Sequence, residues 1–201
     1  MGKLWQKLDC LAETKPRHLD KTDNCYYARE YISGGGYSGS QANDLVLNFK
    51  KPPDRKGKTE WKWKLSAVKQ FALELSSLLR DGTCVAAIPT SKPDDDPEFD
   101  NRFDLMLADL QQTKSTLRIE KPIIRVARAQ SLHEGGTRSV VEVQRTLNWV
   151  GFRDPPPSTV YLVDDVLTWG TNFKACQEMI QQRHPRVVVA GIFWAKTVWQ
   201  S

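Results

Sequence analysis

The sequence predicts an α/β protein, a Rossmann-like, mostly parallel sheet with flanking helices behind an N-terminal extension. Three observations predict it. Val160-Tyr-Leu-Val163 and the run Arg186 to Phe193 are short and rich in β-branched and aromatic residues, as strands buried on both faces are. Thr83 to Ile88 reads as a further strand. Helical spacing surrounds these runs: Leu65, Val68, Ala72, Leu75 and Leu79 before Thr83, Phe103, Leu105, Met106 and Leu110 after it, and Phe173, Cys176, Met179 and Ile180 between the last two strands.

Along the chain, Leu4, Leu8 and Leu11 have helical spacing and predict a short amphipathic helix; Pro16 to Asp23 reads as a loop. Tyr26, Tyr27, Tyr31 and Ile32 precede Ser33-Gly-Gly-Gly-Tyr-Ser-Gly39, a turn or flap that lacks the Gly-Lys-Ser/Thr ending of a P-loop. From Lys50 to Lys64 basic residues are dense, with Trp61 and Trp63 alternating against Lys62 and Lys64. Such a cluster can bind single-stranded nucleic acid; the favoured reading is a solvated loop whose tryptophans dock onto the core. The helix from Leu65 stops before Asp81-Gly82, and the strand Thr83 to Ile88 delivers Pro89-Thr90-Ser91-Lys92 at its carboxyl end. Ile123 to Arg138 reads as a strand and then a basic loop, where Arg128 and Arg138 offer planar donors for phosphate oxygens and Gly135-Gly136 hinge freedom; an exposed hairpin is the competing reading.

A chain of 201 residues is long for one domain and short for two, so the expected division is 1–64 as an N-terminal extension, the candidate for a hood over the site, and 65–201 as core. The net charge of +5 favours a polyanionic partner without choosing between a sugar phosphate and a nucleic acid. Cys10, Cys25, Cys84 and Cys176 are too scattered for a zinc ribbon or a disulfide scaffold, and reduced thiols in a cytoplasmic protein are expected. No run is long enough for a membrane span, and the polar start, Met-Gly-Lys-Leu-Trp-Gln-Lys, does not read as a signal peptide.

The chemistry concentrates in Val160 to Asn172. Asp164 and Asp165 end the apolar run, where an open α/β sheet meets its ligands. Thr168 to Asn172 form the turn into the next helix, whose N-terminus presents backbone N–H groups and a field that favours an anion.

Four apolar residues, two acids, two apolar residues and a short Thr/Gly loop resemble the phosphoribosyl-pyrophosphate (PRPP) signature of the type I phosphoribosyltransferases. The resemblance covers about Leu65 to Val198 and is specific at 160–172; Trp169 and Asn172 stand where small hydroxyl residues are usual. It implies that Asp164 and Asp165 hold the ribose hydroxyls and favour a cationic sugar ring, that Thr168, Trp169, Gly170, Thr171 and Asn172 wrap the 5′-phosphate, and that Thr90, Ser91 and Lys92 grip the pyrophosphate. Mg²⁺ would bridge substrate oxygens, with Asp164 and Asp165 the protein groups nearest to it. Thr168 sits where some purine-specific members carry an acid. Arg128-x-Gln130-x-x-His133 followed by Arg138 is loosely similar to the ComF-like subgroup, whose four-cysteine zinc module has no counterpart here. The implied activity is transfer of the phosphoribosyl group to or from an unidentified base or related nitrogen acceptor, in a protein that is often a homodimer. A fold retained as a ligand sensor or partner-binding module is the alternative, and nucleic-acid binding through 50–64 the less favoured one.

Overall fold

The computed structural model describes residues 4–9, 18–129 and 139–199. In chain order the elements are β1 (Gln6–Lys7), β2 (Asn24–Ile32), α1 (Gln41–Phe49), α2 (Trp61–Leu78), β3 (Cys84–Ala87), α3 (Arg102–Thr113), β4 (Arg118–Glu120), β5 (Ile123–Arg125), α4 (Val140–Gln144), β6 (Leu147–Trp149), β7 (Thr159–Leu167), α5 (Thr171–Arg183) and β8 (Val188–Val198). The main sheet has the order β1-β2-β8-β7-β3-β4, parallel throughout except for β1 at one edge; β5 and β6 pair separately, antiparallel. The fold is therefore α/β, with a mostly parallel sheet and flanking helices.

This order positions the site. From β3 the chain moves outward to β4, whereas from β7 it moves the opposite way to β8. The connections thus diverge between β3 and β7, and at such a switch point the loops leaving the two strands part to open a crevice. The loops concerned are 88–92 and 168–172.

Each face of the sheet has its own core. Val85, Val163, Ile192 and Trp194 pack under α1, α2 and α3, where Trp194 stacks on Phe71 at 4.6 Å and Phe49 meets Phe71, Phe103 and Trp194 edge-on. Ala86, Val160, Leu162 and Phe193 pack on the other face under Phe173, Cys176 and Ile180 of α5.

Several elements differ from the sequence reading. Residues 4–9 are not a helix: Gln6–Lys7 pairs with the free edge of β2, and Leu8 donates its N–H to the Cys25 carbonyl. Backbone hydrogen bonding at an exposed edge outweighs the propensity of a short, marginal helix. Residues 24–49, assigned above to an extension, supply β2 to the sheet and α1 to the same core as α2 and α3, and position 64/65 falls inside α2. The glycine-rich segment 33–39 is a tight turn. Gly35 and Gly39 approach so closely that an added Cβ on either would lie 2.8 Å from the other's Cα, and Asn43 bridges the N–H and C=O of Ile32. On α2 the inward face is Lys64, Ala67, Val68, Phe71, Ala72 and Leu75, with Leu65 exposed. In the 50–64 cluster Lys64 is buried and Trp63 exposed, so the expected docking of both tryptophans does not occur. Among the described residues no helix is long and apolar enough to cross a membrane.

Candidate functional site

β7 continues through both acids to Leu167, so Asp164 and Asp165 lie within the strand rather than beyond it. Successive strand residues face opposite sides. The pair is consequently divided between the two layers.

Asp165 points into the α1–α3 face and is almost fully buried. Its Oδ1 accepts from Lys50 Nζ at 2.7 Å, and its Oδ2 accepts from Arg102 Nη2 at 2.8 Å and Nε at 3.1 Å. Burial opposes its ionisation, but Lys50 and Arg102 prevail and hold the carboxyl below the usual range. Lys50 follows the last residue of α1 and Arg102 is the first of α3. The sequence reading identified neither.

Asp164 faces the other layer and is half-buried, with Oδ1 accepting the Asp165 N–H at 2.9 Å. Burial, then the neighbouring Asp165 charge, push its carboxyl up to about 7. Together with Val166 to Phe173 and Phe193 it lines a cavity of about 40 Å³. The structure thus brings Asp164, Thr168, Trp169, Gly170, Thr171 and Asn172 around one space.

Gly170 is the N-cap of α5 and adopts φ +79°, a left-handed conformation that costs side-chain-bearing residues about 1–2 kcal/mol. A Cβ there would also meet buried Leu19 at 2.8 Å. Gly170→Ala is therefore expected to destabilise the protein by about 2 kcal/mol in urea unfolding; an unchanged midpoint would show that the turn does not need this backbone shape. Residues 18–23 cover the turn: the His18 N–H donates to the Trp169 carbonyl at 3.0 Å, and Lys174 of α5 pairs with Asp23 at 2.9 Å. The Trp169 indole stacks on Trp199 at 5.0 Å and 20°.

Across the switch point, Arg125 fixes the loop after β3 by donating from Nε to the Thr90 carbonyl at 2.7 Å and from Nη2 to the Pro89 carbonyl at 3.1 Å. Thr90, Ser91 and Lys92 line a second cavity, of about 290 Å³, with Lys50, Pro52, Pro53, Glu98, Asp100 and Arg102. Lys92 pairs with Glu98 at 2.9 Å. Arg128 pairs with Asp96, and its Nη1 lies 3.2 Å from the same Glu98 oxygen. Arg138, with Gln130, His133 and Gly135-Gly136, lies outside the described residues.

Cys84 and Cys176 are pushed up by burial to about 11 and about 12, the opposite of a nucleophilic thiol. Among the described residues no three His, Cys, Asp or Glu side chains are grouped to hold a metal ion.

No family model matches the chain, and no curated protein matches it. Among solved structures it is similar to a hypoxanthine phosphoribosyltransferase from Staphylococcus aureus in two crystal forms. The tetragonal form is 14% identical over 68% of this chain and 73% of that one, with a TM-score of 0.36. For the orthorhombic form the values are 15%, 67%, 72% and 0.32.

Proposed function

We propose that this chain is a type I phosphoribosyltransferase-like protein that binds PRPP with Mg²⁺ and transfers the phosphoribosyl group to a nucleobase or related nitrogen acceptor. The observation that supports this best is the meeting of Asp164 with the Thr168–Asn172 turn, at the N-terminus of α5 and beside the loop after β3. The turn takes the 5′-phosphate on backbone N–H groups. Asp164 takes the ribose hydroxyls. In the reaction the bond from C1′ to the diphosphate oxygen breaks with its electron pair leaving on diphosphate, and the nitrogen lone pair forms the new C1′–N bond. Positive charge on the ring develops next to the Asp164 carboxylate, which stabilises it.

The residues present fit Mg²⁺. Asp165 has both oxygens engaged, leaving Asp164 as the carboxylate beside the cavity, and Mg²⁺ is ordinarily held by one or two carboxylates, substrate phosphates and water. When bound it would neutralise diphosphate charge. Residues 18–23, which pack on this turn through His18 and Leu19, would cover a ligand held there.

A binding module without turnover is a second reading, favoured by the pairing of Lys92 and Arg128 with Glu98. Release of pyrophosphate from PRPP, followed across a panel of purine, pyrimidine and simple amine acceptors, separates the two. The transferase reading expects acceptor-dependent release with at least one of them. PRPP binding with no release from any would favour the module.

A further inference from the structure

A third cavity, of about 330 Å³, opens toward the β4 side of the sheet, between α3 and the strands β3, β4 and β5. That volume falls within the range of about 300–1,000 Å³ typical of sites for small organic ligands. Ile88, Phe99, Phe103, Leu107, Ile119 and Ile123 give it an apolar lining. It shares Thr90, Lys92 and Asp100 with the 290 Å³ cavity, and no residue of 160–172 lines it. On α3, Asp104, Leu107, Ala108 and Gln111 recur at i, i+3, i+4 and i+7, so they form one stripe along the opening. Ala108, in the middle of the stripe, is small and exposed, and leaves the space beside it open.

The charges on the wall are unevenly satisfied. There are four acids, Asp94, Asp100, Asp104 and Glu120, against three cations, Lys92, Lys121 and Arg125. Every one of those cations is engaged: Lys92 with Glu98, Lys121 with Asp94, and Arg125 with the Pro89 and Thr90 carbonyls. Asp100 is held by Lys64 and Arg102, and Glu120 by Arg118 at 2.6 Å and Arg153 at 3.1 Å. Asp104 differs from the rest. It stands exposed at the cavity mouth and makes no hydrogen bond or ion pair with a described residue. Desolvation by the surrounding walls pushes its carboxyl above the usual range; Lys121 opposes the rise and Asp94 adds to it, as for an acid with too little positive charge nearby.

We propose that this cavity is a binding site for an organic cation, a primary amine or amidine carried on an aromatic or branched apolar body. The body packs among Phe99, Phe103 and Ile119, and the cationic group pairs with the Asp104 carboxylate. An anion would meet an excess of acid on this wall, and a neutral ligand would leave Asp104 without a counter-charge. The site is thus opposite in ligand chemistry to the phosphate turn, and it is independent of the PRPP reading.

Three probes with one indole body and different charge test it: tryptamine, its neutral counterpart tryptophol, and indole-3-acetate, each titrated into the full chain by calorimetry without PRPP. Tryptamine is expected to bind about tenfold more tightly than tryptophol, the scale of one charge-assisted hydrogen bond, and indole-3-acetate more weakly than either. Asp104→Asn should remove this advantage, weakening tryptamine about tenfold and holding tryptophol within about twofold. Ala108→Trp, which fills the cavity from its exposed rim, should abolish binding of both. Lack of tryptamine binding by the wild type would overturn the proposal, as would equal affinity for the three probes or unchanged tryptamine binding in Asp104→Asn. Undiminished binding in Ala108→Trp would place the probe elsewhere on the chain and overturn it as well. Both substitutions are at exposed positions, and far-UV circular dichroism checks the fold of each; should Ala108→Trp fail to fold, Asp104→Asn decides the matter.

Discussion

Methionine at position 64 will lower the unfolding free energy by about 3 kcal/mol, the scale for stripping a buried charge from its partners. Lys64 is fully buried in α2, where the helical frame calls for an apolar residue. Its ammonium donates to two backbone carbonyls and to Asp100. Desolvation pulls its pKa down and Asp100 pulls it back up, with burial the larger influence. Methionine fills a similar volume but leaves both carbonyls without this donor and Asp100 with Arg102 alone. Arginine is not a remedy, because its planar fork cannot direct three donors from one point. Urea unfolding followed by far-UV circular dichroism measures the loss. A change below about 1 kcal/mol, the net worth of one ordinary hydrogen bond, would show that the ammonium is solvated.

The second large effect is at Asp164, and its sign reverses between stability and binding. The folded-state pKa of Asp164 is raised, to about 7, from an ordinary 3.8. Between those values the folded chain binds the proton more tightly than the unfolded chain does, so this group's contribution to stability falls as pH rises through that window and is constant above it. Asp165 acts oppositely: its lowered pKa contributes stability above the ordinary carboxylate range that is lost on acidification. Asp164→Asn removes the first effect and, by taking away a neighbouring negative charge, leaves Asp165 easier to ionise. The variant should therefore gain on the wild type from pH 5 to pH 8, by on the order of 2 kcal/mol, given that one pKa unit is about 1.4 kcal/mol and that the site is only half-buried. Ligand binding should move the other way, losing about a hundredfold in PRPP affinity because asparagine cannot offset the charge of the bound Mg²⁺ or replace a charged acceptor for the ribose hydroxyls. Thermal melts with and without PRPP and Mg²⁺ at the two pH values record both. A variant equally destabilised at each pH would contradict the ionisation account.

Some of this was legible in the chain and some was not, for reasons that specific residues show. The strand, turn and helix of Val160 to Gln182 are coded locally by a β-branched run, a glycine in the left-handed region and apolar residues at helical spacing. β2 was hidden because Arg29 and Glu30 interrupt its apolar run; Arg29 is tolerated through its pairing with Glu74, itself bound to the Trp194 indole. α1 was missed although Ala42, Val46 and Phe49 keep helical spacing and Ser40 caps its start, since the adjoining glycines drew the reading toward a flap. Leu65 was read as inward because the true inward residue, one position earlier, is a lysine. The partners of Asp165 come from elements distant in sequence, joined only when α1 and α3 pack on the sheet. Local sequence could locate the two acids. It could not show that they face opposite layers with opposite pKa shifts.

On the reading proposed above, Asp164 and the turn after β7 bind a phosphorylated sugar. Calorimetric titration of the wild type and of Asp164→Asn with PRPP in the presence of Mg²⁺, both checked for folding, tests it most directly. A saturable isotherm for the wild type, stronger at pH 8 than at pH 6 as Asp164 ionises, and lost in Asp164→Asn, is the predicted result. No heat and no thermal stabilisation of the wild type, or equal binding by the two proteins, would contradict it.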